Sequence, residues 1–107
     1  MEILLSGKVA IITGAARGIG FSIASLFAAS GATVIIADID EIAGEKAADS
    51  IKKLGHRCEF RKIDLANPKS FEAFISEIFQ SHKRIDVLVN NARAGGKFGL
   101  LNENIEN

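Results

Sequence analysis

Residues 13–20 read Thr-Gly-Ala-Ala-Arg-Gly-Ile-Gly and stand between a short apolar run and an amphipathic stretch. Gly14 permits a tight turn out of a buried strand, Gly18 lets a phosphate approach the backbone, and Gly20 lets the following helix pack closely on a sheet. The free N–H groups and partial positive charge of that helix start suit a diphosphate. Glycines in this strand-turn-helix context predict a dinucleotide-binding loop, whereas three glycines elsewhere are more often simple turns.

Short β-branched runs alternate with longer amphipathic stretches along the rest of the chain. They predict strands over residues 8–13, 33–38, 57–63 and 85–90. They predict helices from Gly18 to a left-handed stop at Gly31, from an Asp40 N-cap to Gly55, and from an Asn67 N-cap with Pro68 in the first position. This alternation predicts an α/β, Rossmann-like, doubly wound parallel sheet with strand order 3-2-1-4 and three right-handed crossover helices.

Apolar spacing indicates which face each predicted helix buries. The first helix is predicted to bury Ile19, Ile23 and Phe27. The second is predicted to bury Ala43, Ala47, Ile51 and Leu54, and the third Phe71, Phe74, Ile75, Ile78 and Phe79. Gly44 inside the second helix is a weak point, since glycine costs about 1 kcal/mol against alanine there.

The outer strands of the predicted sheet differ in character. Residues 57–63 alternate between polar and apolar, which places the third strand at an edge. The fourth strand is as apolar as a strand flanked on both sides, so we expect something to cover its free edge. After Asn91, three glycines lead into a polar stretch typical of a helix start that is cut off early. On this pattern alone we expect residues 1–107 to form half of a larger sheet, with the other half outside this chain.

Composition excludes several classes of function. The 107 residues are 48% apolar and carry 13 basic against 13 acidic side chains, which predicts a folded domain without affinity for nucleic acid or anionic membranes. The single Cys58 and the acid Glu2 near the start favour a reducing cytoplasm over secretion. Apolar runs are too short for a membrane-spanning helix. No Gly-Lys-Ser/Thr follows the glycines, so a P-loop NTPase is excluded, and no metal ligand or catalytic residue is assigned.

Asp38 ends the second predicted strand, about 20 residues past the glycines, where an acid accepts both hydroxyls of an adenosine ribose. Its charge would oppose a 2′-phosphate by on the order of a few kcal/mol at an effective dielectric of ~20, which favours NAD over NADP. Arg17 is a counter-signal, since a guanidinium pairs with such a phosphate, although a solvated loop arginine is the plainer interpretation. A strand-end cap is the alternative for Asp38. A methyl-donor-binding Rossmann domain stays open as a minor alternative.

These motifs together resemble the short-chain dehydrogenase/reductase family, in order and over essentially the whole chain. Residues 13–20 are similar to its Thr-Gly-x-x-x-Gly-x-Gly loop, Asp38 to its NAD-selecting acid, and residues 90–92 to the start of its Asn-Asn-Ala-Gly motif. The resemblance implies that Asp64 bonds the adenine amino group and that Leu65 offers backbone to the ring. The implied coenzyme-binding residues are Gly14, Arg17, Gly18, Ile19, Gly20, Asp38, Ile39, Asp64, Leu65, Asn90, Asn91 and Ala92. For Asp64 and both asparagines, turn formation is the ordinary alternative.

The chain departs from the family pattern at two points. Arg93 stands where the motif has glycine, close to the dinucleotide. The family's Ser, Tyr-x-x-x-Lys pair and helix-borne Asn have no counterpart here, and the 107 residues include no Tyr. The resemblance therefore implies that residues 1–107 are the NAD(H)-binding half-domain of an oxidoreductase for alcohol or carbonyl substrates. It also implies that the catalytic half is absent from this chain, so that the chain alone gives no turnover. The alternative hypothesis is a non-catalytic module, either nucleotide-binding or self-associating, whose strand-four edge pairs with a second copy.

Overall fold

The computed structural model describes residues 4–92, which form one four-stranded sheet and three helices. Its strands are β1 Val9–Thr13, β2 Thr33–Asp38, β3 Arg57–Lys62 and β4 Val87–Asn90. Its helices are α1 Gly18–Ala29, α2 Glu41–Lys52 and α3 Pro68–His82. All paired strands are parallel, in the order β3-β2-β1-β4. The predicted fold class and strand order are confirmed, and each strand boundary lies within two residues of its predicted position.

The sheet carries a hydrophobic core on each face. On one face Ile12 and Ile36 pack with the alanines of α1 and α2. On the other face Ile11 and Ile35 pack against Ile78 of α3. The two central strands are thus covered on both sides, which explains why their sequences are continuously apolar rather than alternating.

Small residues form the buried face of α1. This face consists of Gly20, Ala24 and Ala28. The predicted stripe is wrong at Ile19, which is 73% exposed, while Ile23 and Phe27 are half-buried at the margin of the core. At its start the helix lies so close to the Gly14 carbonyl and the Asn91 side chain that a Cβ at Gly20 would overlap them. The larger apolar groups are therefore displaced to its flanks.

The first cap of α2 is the predicted one, but its end is not buried as predicted. Asp40 accepts a hydrogen bond from the Ala43 N–H at 3.0 Å. The helix ends at Lys52, and Gly55 then takes a positive φ of 89°. Leu54 lies in the turn between them and is 72% exposed, so its predicted burial is wrong. Helical spacing extends only as far as the helix does. The predicted burial of Phe79 in α3 is also wrong, since this residue is 54% exposed.

Gly44 marks a close approach of α2 to β3. A Cβ at this position would overlap the ring of Phe60. Glycine is therefore required by packing at the point where helix propensity alone disfavours it. The glycine that weakened the sequence-based prediction of α2 is a contact residue.

Gly44→Ala is expected to lower the free energy of unfolding despite the better helix former. Propensity contributes about 1 kcal/mol in favour of alanine, while overpacking costs about 1–3 kcal/mol as the Phe60 ring is forced aside. Urea denaturation measures the balance. In a Phe60→Val background the same change should become stabilising, and a stabilising effect in the wild-type background would contradict the contact.

Asp86 anchors the start of β4 to β1. Its Oδ2 accepts a hydrogen bond from the Val9 N–H at 2.8 Å, and Arg84 donates to both of its oxygens at 2.8 Å. The Arg84 hydrogen bonds, helped by the Val9 N–H, lower the pKa of Asp86 to about 2. The ionised carboxylate is thus the form that the folded chain favours.

Asp86→Asn is expected to reduce both stability and its dependence on pH. Because the folded pKa lies below the unfolded one, the contribution of Asp86 is complete above about pH 4 and is lost as the pH falls towards about 2. Urea midpoints near neutral pH and in that acidic window measure this effect. Asp49→Asn, at an exposed acid 3.7 Å from Lys52, is the control for the loss of one surface carboxylate.

Within the described residues, β4 is hydrogen-bonded to β1 alone. Leu88 pairs in register with Ile11 and so lies on the same face as α3, where it is 47% exposed. Over residues 4–92, no helix has the length and apolar character to cross a bilayer. The predicted truncated helix and Arg93 lie outside the described residues.

Candidate functional site

The predicted site residues gather at the carboxyl edge of the sheet. Residues 14–17 follow β1, Asp38 ends β2, Asp64 follows β3 and Asn90 ends β4. The strand order reverses between β1 and β4, and in open α/β sheets ligands bind in the crevice at such a point. The topology therefore brings most of the predicted residues to one place, with Asp64 and Leu65 at its far side.

Gly14 and Gly18 both have left-handed backbone, with φ of 65° and 67°. A Cβ at Gly14 would lie 2.8 Å from the Ala92 Cα, so the loop touches the end of β4 backbone to backbone. A Cβ at Gly18 would meet nothing within 4 Å. The space over Gly18 is open, as the approach of a phosphate requires.

Helix α1 begins without a side-chain cap. Arg17 occupies its N-cap position with extended backbone, makes no capping hydrogen bond, and no acid stands in the first turn. In contrast, Asp40 caps α2 and Asn67 caps α3. The first N–H groups of α1, including that of the exposed Ile19, therefore suit an anionic ligand.

Asp38 connects the end of β2 to the glycine loop. Its Oδ2 accepts from the Ala16 N–H at 3.1 Å, and its Oδ1 accepts from the Asp40 N–H at 3.0 Å. An ionised carboxylate has about four acceptor positions, so two backbone donors leave capacity for ribose hydroxyls. The carboxylate is thus ordered by the protein and chemically suited to a diol. Its neighbour Ile39 is 58% exposed beside it in the chain.

Arg17 makes an ion pair that the sequence did not reveal. Its Nη2 donates to the Asp40 Oδ2 at 2.8 Å. This hydrogen bond raises the pKa of Arg17 and, with the Ala43 N–H, lowers the pKa of Asp40. Arg17 is therefore a paired residue rather than a freely solvated one. The signal available in the sequence was a second acid two positions after Asp38.

Thr13 joins the glycine loop to the end of β4. Its fully buried hydroxyl accepts from the Asn91 and Ala92 N–H groups at 2.9 and 3.1 Å and donates to the Asn90 Oδ1 at 2.9 Å. The Asn91 Nδ2 also donates to the Gly14 carbonyl at 3.1 Å. These contacts brace the predicted Asn-Asn-Ala segment against β1. Thr13 was missed as a positioning residue, although a lone hydroxyl at the end of an apolar strand is a usable signal.

Asp64 forms the turn that leads from β3 into α3. Its Oδ1 accepts from the Ala66 N–H at 3.0 Å and its carbonyl accepts from the Asn67 N–H at 3.1 Å. Leu65 is half-buried against the α3 side of the core. The turn-forming interpretation of Asp64 is therefore shown by the structure, and contact of Asp64 and Leu65 with an adenine ring stays a prediction.

A cavity of about 380 Å³ opens between α1 and α2, at the Ala16 backbone that hydrogen-bonds to Asp38. Two of its lining side chains are cationic, and the Ala16 backbone that binds Asp38 forms part of its wall. The lining residues are Ala16, Arg17, Gly18, Phe21, Ala43, Lys46 and Ala47. The cavity provides space and positive charge next to the acid that would hold a ribose.

Two titratable groups away from this edge, Cys58 and His82, are explained by their packing and hydrogen bonding. Cys58 is a buried free thiol, and its burial raises the pKa to about 12, so it is not an activated nucleophile. His82, in the last turn of α3, lies 3.2 Å from the Glu59 carboxylate on the edge strand. Among residues 4–92, no group of three His, Cys, Asp or Glu side chains is arranged to hold a metal ion.

A family model described as short chain dehydrogenase matches residues 8–105. Oxidoreductase UcpA of Salmonella typhimurium is 48% identical over 89 residues, which are 82% of this chain and 33% of that protein. A hydroxysteroid dehydrogenase from Escherichia coli superposes with a TM-score of 0.81 at 39% identity, over 87% of this chain and 40% of that one. A metagenomic short-chain oxidoreductase in complex with NADP gives 0.82 at 38% identity, over 85% and 41%. The chain spans about a third of the length of the curated relatives it matches.

Proposed function

Because the chain belongs to the short-chain dehydrogenase family, we propose that it binds a nicotinamide dinucleotide for hydride transfer between the coenzyme and an alcohol or carbonyl substrate. The observation that supports this most is the uncapped start of α1 beside the open space over Gly18, next to the ordered Asp38 carboxylate. The first two features suit a diphosphate and the third suits a ribose. When bound, the dinucleotide supplies or accepts the hydride.

NAD is the coenzyme that we propose for this chain. The negative charge of Asp38 opposes a 2′-phosphate. Arg17, the cation of the glycine loop, is paired with Asp40. One solved relative is in complex with NADP, so membership in the family does not by itself select NAD. The preference for NAD therefore rests on this chain's own charges.

Each part of the site has a distinct proposed role. The backbone of the glycine loop and the N–H of Ile19 would bind the diphosphate, while Asp38 would bind the ribose hydroxyls, with Ile39 beside it. Asp64 and Leu65 would meet the adenine. Residues 90–92 would line the adenosine ribose and brace β4. The general acid is not among these residues, since the chain has no Tyr, so we propose that it forms the coenzyme-binding half-domain and that the substrate site lies outside it.

The test is a titration of the isotope-labelled chain with NAD and, separately, with ADP, followed through its backbone amide resonances. Saturable shifts are expected at residues 14–20 and at Asp38, and ADP should displace NAD because both use the same half of the site. Inorganic sulfate at matched ionic strength is the control for non-specific anion binding. Shifts without saturation, or shifts confined to the basic residues of β3, would contradict the proposal.

Self-association through the edge of β4 that has no strand partner among residues 4–92 is the second candidate, and the half-exposed Leu88 favours it. A chain that pairs there without binding nucleotide would be an interaction module rather than a coenzyme-binding one. Sedimentation at several concentrations measures the association, and Leu88→Lys should weaken it. If the chain forms dimers and still binds nucleotide, it is a coenzyme-binding protein that also self-associates. If it forms dimers and binds no nucleotide, the interaction module is supported.

The cell compartment and the partners follow from charge and sulfur chemistry. We infer a cytoplasmic location, because the single Cys58 is a buried free thiol that has no partner within the sequence for a disulfide. The formal net charge of zero gives no attraction to a polyanion, so we propose a small-molecule substrate and no nucleic acid or membrane partner.

A further inference from the structure

A cation at Arg17 favours NADP, whereas the charge of Asp38 favours NAD. Asp40 is hydrogen-bonded to both residues: its carboxylate pairs with Arg17, and its N–H donates to Asp38. We propose that Asp40 is a specificity-determining positioning residue, which strengthens discrimination against a 2′-phosphate by holding the Arg17 guanidinium on the N-terminus of α2. This inference rests on the proposed function, because it assumes that a nucleotide occupies the site.

The hydrogen bonds of Asp40 link Arg17, the start of α2 and Asp38. Its Oδ2 accepts from the Arg17 Nη2 at 2.8 Å, while its Oδ1 accepts from the Ala43 N–H at 3.0 Å as the cap of α2. Its own N–H donates to the Asp38 Oδ1 at 3.0 Å. One residue thus fixes the guanidinium, the start of α2 and the ribose acid relative to one another. The capping bond keeps the carboxylate in place, so Arg17 is drawn towards α2.

The cavity between α1 and α2 is the place that we infer for a 2′-phosphate. Ala16 forms part of its wall and also donates its N–H to Asp38, so the cavity opens beside the carboxylate that would bind the ribose. Arg17 and Lys46 both line it. The cavity therefore has space and positive charge for an additional phosphate on the ribose. The charge of Arg17, however, is offset by its ion pair with Asp40.

The exposure of the pair determines the size of the expected effect. The side chains of Arg17 and Asp40 are 69% and 40% exposed, and exposed ion pairs are weak. Releasing Arg17 should therefore change discrimination by about twofold to fivefold rather than reverse it. Asp38 would still oppose the phosphate in the absence of the pair.

The test compares adenosine 5′-monophosphate with adenosine 2′,5′-bisphosphate, which differ only in the 2′-phosphate, by calorimetry at low salt. Asp40→Asn removes the charge but keeps an equally good N-cap, so α2 should stay intact. The ratio of the two dissociation constants should shift about twofold to fivefold towards the bisphosphate. Glu41→Gln removes the same charge one residue later, at an exposed position in the first turn of α2, and should shift the ratio less than about twofold.

The Arg17→Gln/Asp40→Asn double variant identifies the group responsible. The gain in bisphosphate affinity should disappear in it, since no guanidinium remains to be released. An equal shift in Asp40→Asn and Glu41→Gln, or a gain that persists without Arg17, would overturn the inference while leaving nucleotide binding established. A wild-type chain that binds neither nucleotide would overturn the proposed function first, before any variant is compared.

Discussion

Gly20→Ala should lower the free energy of unfolding by about 3 kcal/mol and abolish nucleotide binding. A Cβ at this position would overlap the Gly14 carbonyl oxygen, and it would lie 2.7 Å from the Asn91 Nδ2 and 3.0 Å from the Ala15 Cα. Two of these three neighbours are backbone atoms, which no rotamer change can move aside. Relief therefore requires α1 to move away from the loop, which disrupts the diphosphate site and the brace to β4 together.

Gly18→Ala is the matched control for that variant. Its Cβ would meet nothing within 4 Å, so only the left-handed φ of 67° opposes alanine, at about 1 kcal/mol. Stability should fall little, whereas affinity should fall clearly because the methyl group enters the space proposed for the phosphate. Urea denaturation and nucleotide titration separate the two effects. If Gly20→Ala were as stable as Gly18→Ala, the close approach of α1 to the loop would be wrong.

Asp38→Ala should weaken NAD binding at least about tenfold and remove most of the discrimination between NAD and NADP. Hydrogen bonds to a charged group contribute about 1.5–3 kcal/mol, and the proposed site makes them to the ribose hydroxyls. The variant also leaves the Ala16 and Asp40 N–H groups without their acceptor, so the loop loses its connection to β2.

Asp38→Asn separates these contributions. It retains one oxygen that can accept from a backbone N–H but carries no charge, so it should preserve stability better than alanine while losing most of the repulsion towards NADP. Calorimetry with both coenzymes on all three proteins gives the comparison. An unchanged NAD to NADP ratio in both variants would show that the charge of Asp38 does not select the coenzyme.

Local signals were sufficient to predict the fold. The N-caps Asp40 and Asn67 and the continuously apolar central strands each act within a few residues, and together they predicted the helices and the strand order. Burial was less predictable. Ile19 lies on a helix whose buried face is made of small residues, and Leu54 lies beyond a helix end, so helical spacing misplaced both.

Contacts between distant residues were the part of the site that the sequence could not supply. The pair of Arg17 with Asp40 joins residues 23 apart, and the hydrogen bond from Asn91 to Thr13 joins residues 78 apart. Both depend on the strand order and on side-chain distances after folding. Spacing along the chain predicted which residue types meet at this edge but not which of them pair.

The buried face of α1 makes nucleotide affinity sensitive to residues that touch no ligand. Ala24 and Ala28 stand one and two turns beyond Gly20, about 6 and 12 Å along the axis, and both lie directly on the sheet. A larger side chain at either position would push α1 away from the sheet and tilt its axis. The N–H donors at the N-terminus of α1 would then move relative to β2, and the distance between the proposed phosphate and ribose sites would no longer match the nucleotide.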